Sequence, residues 1–149
     1  MSDSTSAPVF QVVYHSLATD PQPTSADHVR LLAQSRANNQ TLGIGGLLLY
    51  AESTGEYLQV LEGPEENVRT LYRKIATDLR HRSVYALSEG PAAERTFPNW
   101  QMGFAPLEAD ELARLAGYLS PRRVLQPATT GSPLLALLAD FARTRDVTY

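Results

Sequence analysis

Residues 42–63, LGIGGLLLYAESTGEYLQVLEG, read as two β-strands joined at Glu52-Ser53-Thr54-Gly55, and the rest of the chain is arranged around the second strand. In Tyr57-Leu58-Gln59-Val60-Leu61 the two-residue repeat of a strand puts Tyr57, Gln59 and Leu61 on one face and Leu58 and Val60 on the other. A primary amide thus sits inside an apolar strand. Buried and unpaired it would cost about 1–3 kcal/mol, so Gln59 is either a core glutamine satisfied by protein neighbours or a group that faces a polar ligand on the sheet. The preceding strand, residues 43–50, carries Leu47-Leu48-Leu49 without alternation, which implies burial on both faces. Each side of the sheet therefore needs a cover.

At 149 residues and 43% hydrophobic content the chain fits one domain with a real core. A net charge of −3 without a basic stripe argues against nucleic acid as a partner. The absence of cysteine excludes disulfides, thiolate metal sites and a cysteine nucleophile. The three histidines, His15, His28 and His81, lack metal-ligand spacing. The opening MSDSTSAPV has neither a basic start nor an apolar signal core, and no run approaches membrane-spanning length, so a soluble, cytoplasmic protein without a membrane partner is expected.

Upstream of the hairpin, residues 1–8 are small and polar and read as a frayed arm, and residues 9–16 (VFQVVYHS) as the first strand, with Tyr14 an inward candidate near its end. Thr24-x-x-Asp27 resembles a capping box that starts a helix near Ser25. Its stripe His28, Leu31, Leu32, Ser35 and Asn39 keeps helical spacing, so two polar groups, Ser35 and Asn39, end an otherwise apolar face. Asn38-Asn39 also reads as an ordinary C-cap. Downstream, Gly63-Pro64 opens a second helix with proline at the first helical position and the stripe Val68, Leu71, Tyr72, Ile75 and Leu79. Its last turn would carry Arg80, His81 and Arg82, which suit either the helix dipole or an anion. Residues 83–89 are a predicted fourth strand and 90–98 a loop or bulge. Residues 99–104 (NWQMGF) are a fifth strand, with Trp100 and Met102 on one face and core packing the plain reading of the pair. Residues 108–118 and 133–145 look helical, the latter through Leu134, Leu137, Leu138 and Phe141. The order β-α-β-β-α-β-β predicts an α+β, ferredoxin-like sheet with both long helices on one face and the C-terminal helices covering the other.

The residues resemble the BLUF family of flavin-binding blue-light sensors over residues 9–104, leaving 105–149 as a C-terminal helical extension. The resemblance is carried by Tyr14-His15-Ser16-Leu17; by Ser35 to Asn39 followed by Leu42-Gly43-Ile44-Gly45-Gly46-Leu47-Leu48-Leu49-Tyr50; by Leu58-Gln59-Val60-Leu61-Glu62-Gly63; by Asp78-Leu79-Arg80-His81; and by Phe97-Pro98-Asn99-Trp100-Gln101-Met102-Gly103-Phe104. Gly45 departs from the family's common threonine in an Ile-Thr-Gly run, which is expected to loosen the strand locally. The resemblance implies a flavin, FAD with FMN or riboflavin as alternatives, between the two long helices. Asn39 with Asn38 would bond the pyrimidine edge of its ring. Leu31, Leu32 and Ile75 would line its faces, with Ser35 on the same helix stripe, and Arg80 and His81 would lie toward the phosphates, with Arg82 a competitor.

In the family's cycle light drives electron and proton transfer from the tyrosine, here Tyr14. Gln59 is left presenting a changed hydrogen-bond pattern that shifts absorption to the red. Trp100 and Met102 would carry that change outward. A stand-alone, short-type member is expected: a homo-oligomer that is not an enzyme and that signals to an unidentified protein partner. Two alternatives share the strand order, a ferredoxin-like sensor of another small ligand without photochemistry and an acylphosphatase-like hydrolase. The hydrolase would need an arginine in the loop after the first strand, and none is there.

Overall fold

The structure, a computed structural model, describes residues 9–19, 22–97, 102–110 and 112. Its elements are β1 (Val9–Ala18), α1 (Ser25–Leu42), β2 (Gly45–Ala51), β3 (Glu56–Gly63), α2 (Glu65–Ala76), β4 (His81–Ala92) and β5 (Gly103–Pro106). The strands form one sheet in the order β4-β1-β3-β2-β5, antiparallel except for β5, which runs parallel to β2. This is the ferredoxin-like arrangement that the element order predicts.

Each helix boundary has a local cause. Thr24 Oγ1 accepts the Asp27 N–H at 3.2 Å while Asp27 Oδ2 accepts the Thr24 N–H at 2.8 Å, so the capping box starts α1 as expected. α1 ends on Gly43, left-handed at φ 69°, with its N–H bonded to Asn39 O. Glycine reaches that conformation without a Cβ penalty, so Gly43 rather than Asn38-Asn39 is the C-cap. Pro64 occupies the N-cap of α2 and not the first helical position.

α2 also stops earlier than its apolar stripe suggests. The Thr77 hydroxyl donates to Lys74 O at 3.1 Å and the Asp78 carboxylate accepts the Arg80 N–H at 2.9 Å, which turns the chain out of the helix. Leu79 is consequently 88% exposed. Arg80 lies in the turn, His81 opens β4, and Arg73 and Lys74 occupy the last helical turn instead.

The last two strands differ from their sequence-based bounds. β4 is longer than residues 83–89 because it pairs with β1 on both sides of register shifts at Val13/Tyr14 and His15/Leu17. As an edge strand it accommodates Pro91, which cannot donate to a ladder. β5 lies later than residues 99–104, because its pairing follows β2 from Leu47↔Gly103 to Tyr50↔Pro106. Pro106 ends it, and the Leu107 N–H returns to Tyr50 O at 3.0 Å.

Two apolar layers flank the sheet. On one face Tyr14, Leu48, Leu61 and Met102 pack with Leu32 of α1 and Val68 of α2. On the other, Val13, Leu47, Leu49, Leu58 and Val60 pack with Phe97 and Leu112. The triple-leucine run is therefore buried on both sides, as its lack of alternation implies. The cover of the second face begins with Leu107, Ala109 and Leu112. The remainder of the predicted helices over 108–118 and 133–145, the polar arm 1–8 and Trp100 lie outside the described residues.

In β2 the backbone of the neighbouring strand requires a glycine at Gly46. At φ 155° an added Cβ would stand 1.9 Å from Val60 O, a backbone atom of the neighbouring strand. Gly46→Ala is expected to destabilise the fold by about 3 kcal/mol or more, since a strained conformation and a backbone clash coincide. Urea unfolding checks this, and a midpoint equal to wild type would contradict it.

Candidate functional site

β1 and β3 bring the two key polar side chains face to face. Tyr14 and Gln59 are cross-strand partners, and Gln59 is in turn opposite Leu48 of β2. The Tyr14 hydroxyl donates to Gln59 Oε1, and Gln59 Nε2 donates to Met102 Sδ at 3.2 Å. The amide orientation follows from its partners, because a thioether can only accept. All three residues are buried. The amide inside the apolar strand is thus satisfied by a phenol on one side and a sulfur on the other.

Above this chain a cleft of about 560 Å³ of atom-free space opens between α1 and the end of α2, part of it facing solvent. Leu31, Leu32, Leu48 and Ile75 supply apolar wall, Tyr14, Gln59 and Met102 the floor, and Ser35, Tyr57, Asp78, Arg80 and His81 the remaining lining. A few convergent polar groups in an apolar cleft of this size are what ligand sites have. Beyond Leu31, Tyr57 and Arg80 it adjoins a second depression reached by Thr19, Asp27, Arg30 and Gln34.

Burial raises the Tyr14 phenol well above the ordinary range, and the nearby Tyr72, Tyr57 and Asp78 add to the shift. Its ring meets Tyr72 at a centroid distance of 5.5 Å and the edge of His81 at 6.2 Å. His81 Nε2 donates to Ile75 O, so in the neutral ring Nδ1 accepts the Ser16 hydroxyl at 2.9 Å. Burial likewise raises Tyr57 and lowers His28, which keeps both neutral. The Tyr57 hydroxyl then donates to His28 Nε2 at 2.8 Å. Arg80 and Asp78 hold each other: their hydrogen bonds raise the guanidinium and lower the carboxyl.

Of the residues singled out in the sequence, Tyr14, Leu31, Leu32, Ser35, Gln59, Ile75, Arg80, His81 and Met102 converge on this cleft. Asn39 is buried beside the end of α1 but does not line the cleft, and Asn38 is exposed. Arg82 is exposed on β4 and outside it. Leu48, Tyr57 and Asp78 complete the lining without having been named as site residues. Two of them carried a signal: Tyr57 shares the Gln59 face by alternation, and Asp78 adjoins Arg80 and His81.

An apolar cleft over a phenol–amide–thioether chain, on a ferredoxin-like sheet, places the molecule among small ligand-binding domains. Residues 9–103 match the family described as "BLUF: Sensors of blue-light using FAD", and the chain belongs to that family. It is a flavin-binding blue-light sensor domain. Over 93 residues it is 32% identical to the photoactivated adenylate cyclase subunit alpha of Euglena gracilis, which covers 62% of this chain and 9% of that protein. The beta subunit of the same organism is 30% identical over 93 residues. The chain spans about a tenth of the length of these curated relatives. Among solved structures, the dark state of the BLUF protein BlrB is 30% identical with a TM-score of 0.66, covering 91% of this chain and 98% of that one. BlrP1 of Klebsiella pneumoniae, in a structure with FMN and cyclic diGMP, is 27% identical with a TM-score of 0.64, covering 89% of this chain and 34% of its own. Among the described residues no helix is long and apolar enough to cross a membrane.

Proposed function

We propose that the cleft holds FAD with its ring over Gln59, and that Tyr14, Gln59 and Met102 convert light absorption into a displacement of β5. The observation that carries this is the continuous chain Tyr14 → Gln59 → Met102 on the cleft floor. The lining fits the group: Leu31, Leu32 and Ile75 suit the faces of a flat aromatic ring, and an amide on the floor suits its polar edge. The adjoining depression beside Arg30 and Arg80 gives room for a tail beyond the ring, which favours FAD over riboflavin. A bound flavin supplies the absorbing ring and, once excited, an acceptor for one electron.

The protein's part follows from its own groups. Tyr14 cannot shed its proton in the dark, because burial disfavours the phenolate. Loss of an electron makes the phenol strongly acidic, and its proton has one partner in line, Gln59 Oε1. With that bond exchanged, Gln59 can rotate or tautomerise so that it donates where it accepted. When the electron returns the proton returns with it, and no covalent bond has changed in net. A rotated amide turns its oxygen toward Met102 Sδ, which has no proton to offer, so the 3.2 Å bond is lost and the β5 side is released.

On this reading Arg80 and His81 lie toward the phosphates, Ser35 flanks the ring, Asn39 with Asn38, which do not line the cleft, would have to turn inward to bond its pyrimidine edge, and Trp100 shares the outward relay with Met102. This chain itself catalyses no reaction. Its output goes from a cytoplasmic homo-oligomer to a protein partner, with a coupling of about 1–3 kcal/mol. The test is an absorption spectrum of the purified protein before and after blue light. Flavin bands with a reversible red shift are expected, and the extracted flavin runs as FAD. A colourless protein that fails to take up added flavin on refolding would sink the proposal.

A further inference from the structure

Three rungs from Tyr14↔Gln59 on the same ladder, Gln11 pairs with Glu62, and alternation sets this second polar pair on the opposite face of the sheet. Glu62 has no solvent exposure. A buried carboxyl needs donors on both oxygens, and it has them. Oε1 accepts Gln11 Nε2 at 3.0 Å and the Thr96 N–H at 2.9 Å, and Oε2 accepts the Phe97 N–H at 2.6 Å. Thr96 and Phe97 follow β4, with the Phe97 ring seated in the far-face core. Met102 leads into β5, with Gln59 on its sulfur and Arg36 Nε bonded to its carbonyl at 2.9 Å. Thr96 and Phe97 after β4, and Met102 before β5, are therefore each tied to β3, the first two by Glu62 on one face and the last by Gln59 on the other. Only the Gln59 tie is at the cleft.

We infer that Glu62 is a positioning residue for the light response: by fixing Thr96 and Phe97 against β1 and β3 it sets where Met102 meets Gln59, and it restores that contact after illumination. The inference rests on the photosensory reading above. Gln59 and Glu62 share one strand, so when Met102 parts from Gln59 the bonds of Thr96 and Phe97 to Glu62 stay in place. That anchor favours return to the dark arrangement. Glu62→Gln keeps the shape but replaces one acceptor oxygen by an amide NH2, a donor, so at least one of the three donors loses its partner.

The experiment compares wild type, Glu62→Gln and a control, Leu87→Ala, which thins the same far-face core that holds Phe97 but removes none of the Glu62 hydrogen bonds. In flavin-free protein, Glu62→Gln is expected to shift the Met102 methyl resonance and to speed amide exchange at Thr96 and Phe97 by about tenfold. In flavin-loaded protein it should slow dark recovery by about fivefold or more while the size of the red shift stays unchanged. The control should lower the melting temperature and leave the Met102 resonance and the recovery rate as in wild type. A Glu62→Gln protein that behaves like the control overturns the inference. Should the variant not fold, exchange at Thr96 and Phe97 in wild type is measured in the dark and under blue light. A change on illumination supports the role, and identical protection in both overturns it. Because the Met102 resonance is read without flavin, failure of flavin uptake is distinguishable from failure of the Glu62 link.

Discussion

Gln59→Leu is expected to leave the protein folded and yellow and to abolish the light-induced red shift. Leucine approximates the glutamine volume at a position that is 7% exposed, so the sheet can keep its packing. What disappears is a group that accepts from Tyr14 and donates to Met102 at the same time. Leucine does neither, so no rearranged bond can form at the ring edge. The Tyr14 hydroxyl, buried and without its acceptor, costs about 1–3 kcal/mol. For a chain of this size that lowers the melting temperature by roughly 2–12 °C. Light-minus-dark absorption spectra together with a thermal melt check both parts. A wild-type red shift in the leucine variant would remove Gln59 from the relay, whatever the melt shows.

The same residue illustrates what the sequence could and could not disclose. Strand alternation alone puts Tyr57, Gln59 and Leu61 on one face, and the structure divides the two cores along that line. A period of two is enforced by the backbone and survives any tertiary context. The capping box at Thr24 and the double burial of Leu47-Leu48-Leu49 are local in the same way. Element ends are not local. The apolar spacing that reaches Leu79 would continue α2, yet hydrogen bonds of Thr77 and Asp78 stop it and leave Leu79 in solvent. β5 takes its bounds from the neighbour it pairs with and not from its own pattern. Pairings across the sheet, such as Glu62 with Thr96 and Phe97, are invisible until the chain is folded. The site was more legible than its edges, because its residues sit on regular elements with fixed faces. Asn38 shows the limit: beside Asn39 in sequence, it is exposed where its neighbour is buried, a difference that the dipeptide itself does not reveal.

Tyr14→Phe is expected to separate binding from photochemistry. Phenylalanine keeps the ring that packs against Tyr72 and His81 and removes one oxygen from the cleft floor, so flavin uptake should stay close to wild type. The red shift should disappear, because without the hydroxyl there is no proton in line with Gln59 Oε1 to accompany the electron. Flavin fluorescence should rise in step as quenching by the phenol is lost. The direction of the Tyr14 shift adds a check on the wild type. A phenol whose folded value lies above its ordinary 10.0 stays protonated through neutral and mildly alkaline solution, so its share of the photochemical yield should be flat there. Its linkage to stability has one sign: full below the ordinary phenol value, and lost as pH climbs through and beyond it, where the unfolded chain ionises first. Tyr14→Phe should therefore flatten the alkaline limb of the stability curve while it silences the photocycle. A phenylalanine variant that retains the wild-type shift and yield would show that the electron and proton come from another residue.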